Sequence, residues 1–222
     1  MALRGVIFDL DGVIVDSSIF HFGAWQRWAH KVGIIEEVDK EWFSEHHGKR
    51  NDAIITATLG LISETELEAH ATRKEEYFRE LARGKLEPLP GVSTLVEELR
   101  SDGWRLAIGT STPRENLDLV LTEIPFGSAF TATACGSEVA RGKPAPDVFL
   151  CAAELLGLSP ERCVVIEDAP SGVAAAHAGG FACLAVATTR PHELLSDAEL
   201  LLDSLEEATS EAIAELLESP LK

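Results

Sequence analysis

The chain of 222 residues carries 37 Asp and Glu against 19 Lys and Arg, a formal net charge of −18. It lacks the clustered basic side chains that neutralise a nucleic-acid backbone or an anionic membrane surface, so neither is an expected partner. With 45% hydrophobic and 25% charged residues it has the composition of an ordinary globular protein, long enough for one large domain or two unequal ones.

The first apolar run is interrupted by Asp9 and Asp11, which argues against a signal peptide or a membrane span, and no later stretch approaches membrane-spanning length. It reads instead as a short buried strand over residues 5–9. From residue 16 to residue 86 there is only helical patterning, at 17–32, 40–46, 50–59 and 64–82. Ser63-Glu64-Thr65-Glu66 forms a capping box at the head of the last of these. Leu86-Glu87-Pro88-Leu89-Pro90-Gly91 then marks a boundary. Beyond it, strands at 104–110, 131–135, 163–167, 182–186 and, more weakly, 200–202 alternate with helices at 92–101, 113–122, 146–156 and 172–178. In Thr112-Pro113-Arg114-Glu115 the Thr reads as a helix cap, the Pro as the first helical residue and the Glu as the end of a capping box. The acidic stretch 206–218 reads as a solvated helix.

This alternation predicts an α/β fold, a doubly wound, Rossmann-like parallel sheet built from residues 1–15 and 87–222, with an all-α domain inserted at 16–86. The four cysteines (Cys135, Cys151, Cys163, Cys183) form no CxxC pair and lie in apolar segments, the pattern of buried thiols in a reducing cytoplasm. The charge is uneven. Residues 16–86 hold 10 basic and 13 acidic side chains, whereas residues 193–222 hold one basic and nine acidic.

In open α/β sheets the chemistry gathers at the carboxyl ends of the strands. The first strand ends in Asp9-Leu10-Asp11-Gly12, two carboxylates on one side of an extended chain followed by a glycine that permits a tight exit. Carboxylates held this close repel unless a cation or a shared proton relieves them. The next strand ends in Thr110-Ser111-Thr112, hydroxyls and amides entering a helix N-terminus. Past the third comes Gly142-Lys143-Pro144, and the fourth ends in Glu167-Asp168. Four carboxylates, hydroxyls and one lysine at one edge fit a magnesium-assisted phosphoryl transfer to an aspartate.

These segments, Asp9-Leu10-Asp11-Gly12, Thr110, Lys143 and Glu167-Asp168, resemble the four motifs of the haloacid dehalogenase superfamily, in the branch that carries a helical cap after the first motif. The resemblance spans nearly the whole chain. It implies that Asp9 is the nucleophile and a Mg²⁺ ligand, and that Asp11 is the general acid/base and completes the metal shell through its carbonyl. It further implies that Thr110 and Lys143 hold the phosphate, with Ser111 beside them, and that Asp168 binds the metal with Glu167 next to it. Dehalogenating members lack the second aspartate, so Asp11 implies phosphate chemistry.

Other stretches resemble β-phosphoglucomutase and its sugar-phosphatase relatives. His21 falls at the place of a cap histidine that assists the general acid/base. Lys49 or Arg50, in His47-Gly48-Lys49-Arg50, and Lys74, in Arg73-Lys74, fall in cap segments that touch substrate. Ile19 departs from the acidic residue common there, and Thr110-Ser111-Thr112-Pro113-Arg114 replaces the mutase's Ser-rich segment with its following Lys-Asn.

Read without the resemblance, Lys49, Arg50 and Lys74 are surface charge, His21 packs against Trp25 one turn on, and Thr112 caps its helix. His46 and His47 have no partners at zinc-ligand spacing. The reading that follows is a Mg²⁺-dependent phosphatase of small phosphorylated metabolites, sugar phosphates among them, with its cap closing about hinges near Val15–Asp16 and Leu86–Pro90. A phosphomutase is the alternative. A phospho-accepting signalling receiver is a third reading, disfavoured by two aspartates on the first strand and by the long helical insert. Oligomeric state is not encoded in any of these features.

Overall fold

Short runs of Val, Ile, Leu and Ala, too brief for helices and apolar on both sides, form a six-stranded parallel sheet in a computed structural model that describes residues 3–34, 38–46 and 50–218. The strands are β1 (Gly5–Phe8), β2 (Arg105–Thr110), β3 (Ala132–Cys135), β4 (Cys163–Glu167), β5 (Ala182–Val186) and β6 (Leu200–Leu202). Their order across the sheet is β3-β2-β1-β4-β5-β6. The chain therefore winds outward from β1 in both directions, which is the doubly wound α/β arrangement expected from the alternation.

Period-two alternation divides the core. Ile7, Ala107, Val165 and Cys183 face a layer formed by α7 (Asp147–Leu156) and α8 (Pro170–Ala178), including Phe149, Ala152, Val173 and Ala176. The alternate residues Val6, Phe8, Leu106, Ile108, Val164 and Ile166 are equally buried on the other side. There α5 (Val92–Ser101) packs against β2, and α9 (Ser210–Leu216) packs against β5 and α5. The buried Trp104 Nε1–H donates to Ser210 Oγ at 3.0 Å and fixes that last helix.

The chain divides into two compact units, Met1–Asp16 with Glu87–Lys222, and Ser17–Leu86. The second unit is helical among its described residues: α1 (Ser18–Val32), α2 (Lys40–His46), α3 (Asn51–Leu59) and α4 (Glu64–Ala82), with α1 and α3 both packed on α4. Trp25, Trp28, Ala29, Val38, Ile54 and Ile55 form its core. Three of the chain's four tryptophans are spent here, and Trp25 packs edge-on against both Trp28 and Trp42. The capping box read at Ser63–Glu66 is formed, with Glu66 N–H donating to Ser63 Oγ and Ser63 N–H donating to Glu66 Oε2.

Several boundaries differ from the sequence reading. Strand β1 ends at Phe8, one residue early, because Asp9 already turns into the loop while its N–H still donates to Ile166 O at 2.9 Å. Helix α6 (Arg114–Glu123) has Pro113 as its N-cap, so Thr112 does not cap it. The C-terminal helix is shorter than its acidic stretch and is preceded by a 3-10 turn at Leu205–Glu207. Three cysteines are buried, whereas Cys151 on α7 is only half-buried.

Candidate active site

The parallel register sets the height of every loop at the carboxyl edge of the sheet. Phe8 pairs with Ile108 on one side and Ile166 on the other, so the residue after each lies level, and Asp9 emerges between β2 and Glu167. Asp9, Glu167 and Asp168 are all buried, and one carboxylate oxygen from each lies within 4.8 Å of the others. Three acids at this depth are largely withdrawn from bulk solvent, and among the described residues one ammonium is paired with two of them. Lys143 Nζ donates to Asp9 Oδ1 at 2.7 Å and to Glu167 Oε1 at 2.5 Å, and sits 4.6 Å from the ring centre of Phe149.

The electrostatics follow from this count. Burial pushes the Asp9 carboxyl up to about 7, with Glu167 and Asp11 adding to the shift and Lys143 opposing it. Asp168 is raised well above the usual carboxylate range, again by burial first and then by Glu167 and Asp9. Burial by itself would lower Lys143, but the carboxylates of Asp9 and Glu167 outweigh it and hold the ammonium in its charged form. One ammonium is too little for three ionised carboxylates, and the upward shifts of Asp9 and Asp168 are the consequence: without a further cation these acids tend to keep their protons. The cluster's donors are hard carboxylate oxygens, the set that takes a divalent cation of the Mg²⁺ type.

Glu167 is the most constrained member. Its Oε2 accepts from the N–H groups of Asp168 (2.9 Å) and Ala169 (3.0 Å) at the start of α8, while Oε1 receives Lys143. The side chain lies across Gly172, where any Cβ would overlap its carboxylate. Gly12 plays the matching role in the β1 loop: it adopts φ +84°, and a Cβ there would run into Asp168 Oδ2.

Two hydroxyls that the sequence reading passed over complete this corner. Thr189 Oγ1 donates to Asp168 Oδ2, and Thr188 Oγ1 donates to the Gly12 carbonyl. Both belong to the turn after β5, the strand beside β4. Their position at a strand's carboxyl end is the signal that points to them.

On the β2 side, Thr110 is buried and its Oγ1 accepts from the Thr112 N–H at 3.1 Å, while Ser111 is exposed at the edge. Thr112 Oγ1 donates to Asp11 Oδ2. This corrects the capping role read for Thr112, since its hydroxyl faces the β1 loop and not the first turn of α6. Arg114 is committed elsewhere, with both Nε and Nη2 on Glu138 (2.8–3.1 Å) and Nη1 on Thr133 Oγ1 (2.9 Å).

Within the helical unit, Lys74 is buried, which overturns its reading as surface charge. Its Nζ lies 2.8 Å from Glu75 Oε1 and 2.7 Å from His21 Nδ1, and 5.2 Å from the Trp25 ring centre. Although burial favours the neutral acid, Lys74 and His21 outweigh it and hold Glu75 down to about 2. His21 also stacks on Phe78 at 4.1 Å, so packing and polar contact coexist. Arg50 is exposed and paired with Asp52. Lys49, with His47, lies outside the described residues.

Comparison with known proteins matches residues 6–186 to the family model of haloacid dehalogenase-like hydrolases. The chain is 34% identical to hexitol phosphatase A of Escherichia coli (strain K12), over 94% of each chain. It is 29% identical to the β-phosphoglucomutase of Bacillus subtilis (strain 168), over 96% of this chain and 95% of that one. Among solved structures it superposes on the β-phosphoglucomutase of Clostridium difficile with a TM-score of 0.86 and 27% identity, covering 98% of both chains. The chain thus belongs to the haloacid dehalogenase-like hydrolases, as an enzyme of phosphatase or phosphomutase type.

Proposed function

We propose that the protein is a Mg²⁺-dependent phosphatase of small phosphorylated metabolites, with sugar phosphates as its substrate class, working through an aspartyl-phosphate on Asp9. The observation that carries this reading is the buried Asp9 carboxylate, held 2.7 Å from Lys143 and clustered with Glu167 and Asp168 in a set of converging carboxylate oxygens. Asp9 and Asp168, with Asp11 through its main-chain carbonyl, would hold the cation, and Glu167 lends its charge from beside them. When bound, Mg²⁺ supplies charge neutralisation between nucleophile and phosphoryl oxygens. The unpaired cysteines fit a reducing cytoplasm as the compartment.

In the first half-reaction Asp9 attacks phosphorus, and Asp11 gives its proton to the departing sugar oxygen. Lys143, the Thr110 hydroxyl and Ser111 hold the phosphoryl oxygens in line, offsetting the charge that develops there. In the second, the Asp11 carboxylate removes a proton from water as it attacks the aspartyl-phosphate. Phosphate then leaves, Asp9 is regenerated as a carboxylate and Asp11 is again protonated. Asp9→Asn, assayed with saturating Mg²⁺ against sugar phosphates and small phosphate esters, is expected to release no phosphate. Full activity in that variant refutes the reading.

A phosphomutase is the second reading, supported by the half-buried His21 on the buried Lys74–Glu75 pair in the helical unit and by the β-phosphoglucomutase relatives. A sugar 1-phosphate supplied with a bisphosphate primer separates the two. Phosphate release without isomerisation is the phosphatase outcome, and isomerisation outrunning release is the mutase outcome. The signalling-receiver reading falls with the family assignment.

A further inference from the structure

The metal-ligand role proposed for Asp168 raises a question that the ligands alone do not answer. A carboxylate packed against Glu167 and within 4.8 Å of Asp9 is repelled from the position in which all three oxygens converge. Something must hold its rotamer there before a cation arrives. Burial does not explain it, because burial restricts space without selecting which oxygen points where.

The hydrogen bonds do select. Thr189 is the one donor to the Asp168 carboxylate among the described residues, and it binds Oδ2. Its hydroxyl also lies 3.4 Å from the Asp168 carbonyl, so it spans both the main chain and the side chain of that residue. The Thr189 methyl and Asp168 Oδ2 together occupy the space where a Gly12 side chain would be, and the neighbouring Thr188 hydroxyl binds the Gly12 carbonyl. The turn after β5 therefore grips both acid-bearing loops, the one after β1 and the one after β4, through two adjacent hydroxyls. The topology makes this possible: β5 lies beside β4 with Glu167 level with Ala185, so a turn starting just after Val186 comes out next to Asp168.

We propose that Thr189 is a positioning residue for the cation site, holding the Asp168 carboxylate in its ligating rotamer, with Thr188 fixing the Gly12 loop against the same turn. This rests on the reading of Asp168 as a Mg²⁺ ligand. Thr189 touches neither the phosphoryl group nor the nucleophile in this role. It acts through Asp168 alone, so its effect belongs to cation affinity. Outer hydrogen-bond partners of metal ligands set affinity by roughly 10- to 100-fold, through the orientation and basicity of the ligand they hold.

The test is Mg²⁺ binding itself, measured by isothermal titration calorimetry on the metal-free full chain and repeated with Mn²⁺ by electron paramagnetic resonance. Thr189→Val keeps the shape and removes the hydroxyl, and is expected to weaken the Kd by roughly 10- to 100-fold. Thr189→Ser keeps the hydroxyl and is expected to bind near the wild-type value. A wild-type Kd in Thr189→Val overturns the proposal, as does a Kd in Thr189→Ser as weak as in the valine variant. If Thr189→Val does not fold, Thr189→Ala against Thr189→Ser gives the same contrast, with the same overturning outcomes. Wild-type protein that binds neither ion overturns both this role and the cation site, whereas tight wild-type binding with no response to Thr189→Val overturns the role alone.

Discussion

Gly172→Ala separates the constraint at this site from ordinary helix energetics, because the two predict opposite signs. Gly172 lies in the first turn of α8, and replacing an interior helical glycine by alanine normally stabilises a protein by about 1 kcal/mol. Here the new Cβ would overlap the Glu167 carboxylate, whose Oε2 accepts from Asp168 N–H and Ala169 N–H and whose Oε1 accepts from Lys143. Driving that side chain out leaves two amides without their acceptor, at about 1–3 kcal/mol each. Set against the propensity gain, the net is a destabilisation of about 1–5 kcal/mol, which lowers the Tm of a chain this long by roughly 2–20 °C. Differential scanning calorimetry in metal-free buffer measures it. The double variant Glu167→Ala/Gly172→Ala isolates the cause: with the carboxylate gone, the second substitution is expected to be neutral or stabilising relative to Glu167→Ala. A Tm for Gly172→Ala at or above the wild-type value, or an equal loss in the Glu167→Ala background, refutes the reasoning.

Two further outcomes follow from the charges. Glu75 is held at about 2 against an ordinary 4.5, so its ionised form stabilises the fold above pH 4.5 and that contribution fades as the pH falls from 4.5 towards 2. Urea unfolding is expected to show wild type losing about 2 kcal/mol more than Glu75→Gln between pH 7 and pH 3, and equal losses contradict the assignment. Mg²⁺ at a hundredfold excess over its Kd is expected to stabilise the protein by about 2.7 kcal/mol, a rise in Tm of roughly 5–11 °C that EDTA reverses and Asp168→Ala abolishes. A Tm indifferent to Mg²⁺ argues against a cation among these acids.

The sheet was legible because each strand is a short apolar run with a sharp change of character at its end. Asp9, Thr110 and Glu167 stand at those ends, and parallel register alone brings Asp9 level with Glu167 and leaves Thr110 one residue further along. Contacts that depend on which way a loop turns were not legible. Thr112 sits where a cap belongs, yet its hydroxyl goes to Asp11 across 101 positions of sequence. Thr189 joins Asp168 only because β5 lies beside β4, a neighbour relation that local pattern does not contain. Lys74 reads as surface charge in a polar helix, Arg73-Lys74-Glu75-Glu76, but α1 covers it and supplies His21 as its partner. Periodicity reports which face of a helix is apolar. It does not report which charged residue is carried inward with a partner of its own.

The central claim is that the phosphoryl group passes through Asp9. Reductive trapping addresses it without depending on the identity of the substrate. Protein quenched during turnover with any accepted phosphate ester is treated with borohydride, which converts an acyl phosphate to the alcohol, and is mapped by peptide mass spectrometry. Homoserine at position 9, absent without substrate and absent in Asp9→Asn, is the expected result. Continued turnover with no homoserine at position 9, or with homoserine at any other aspartate, contradicts the account.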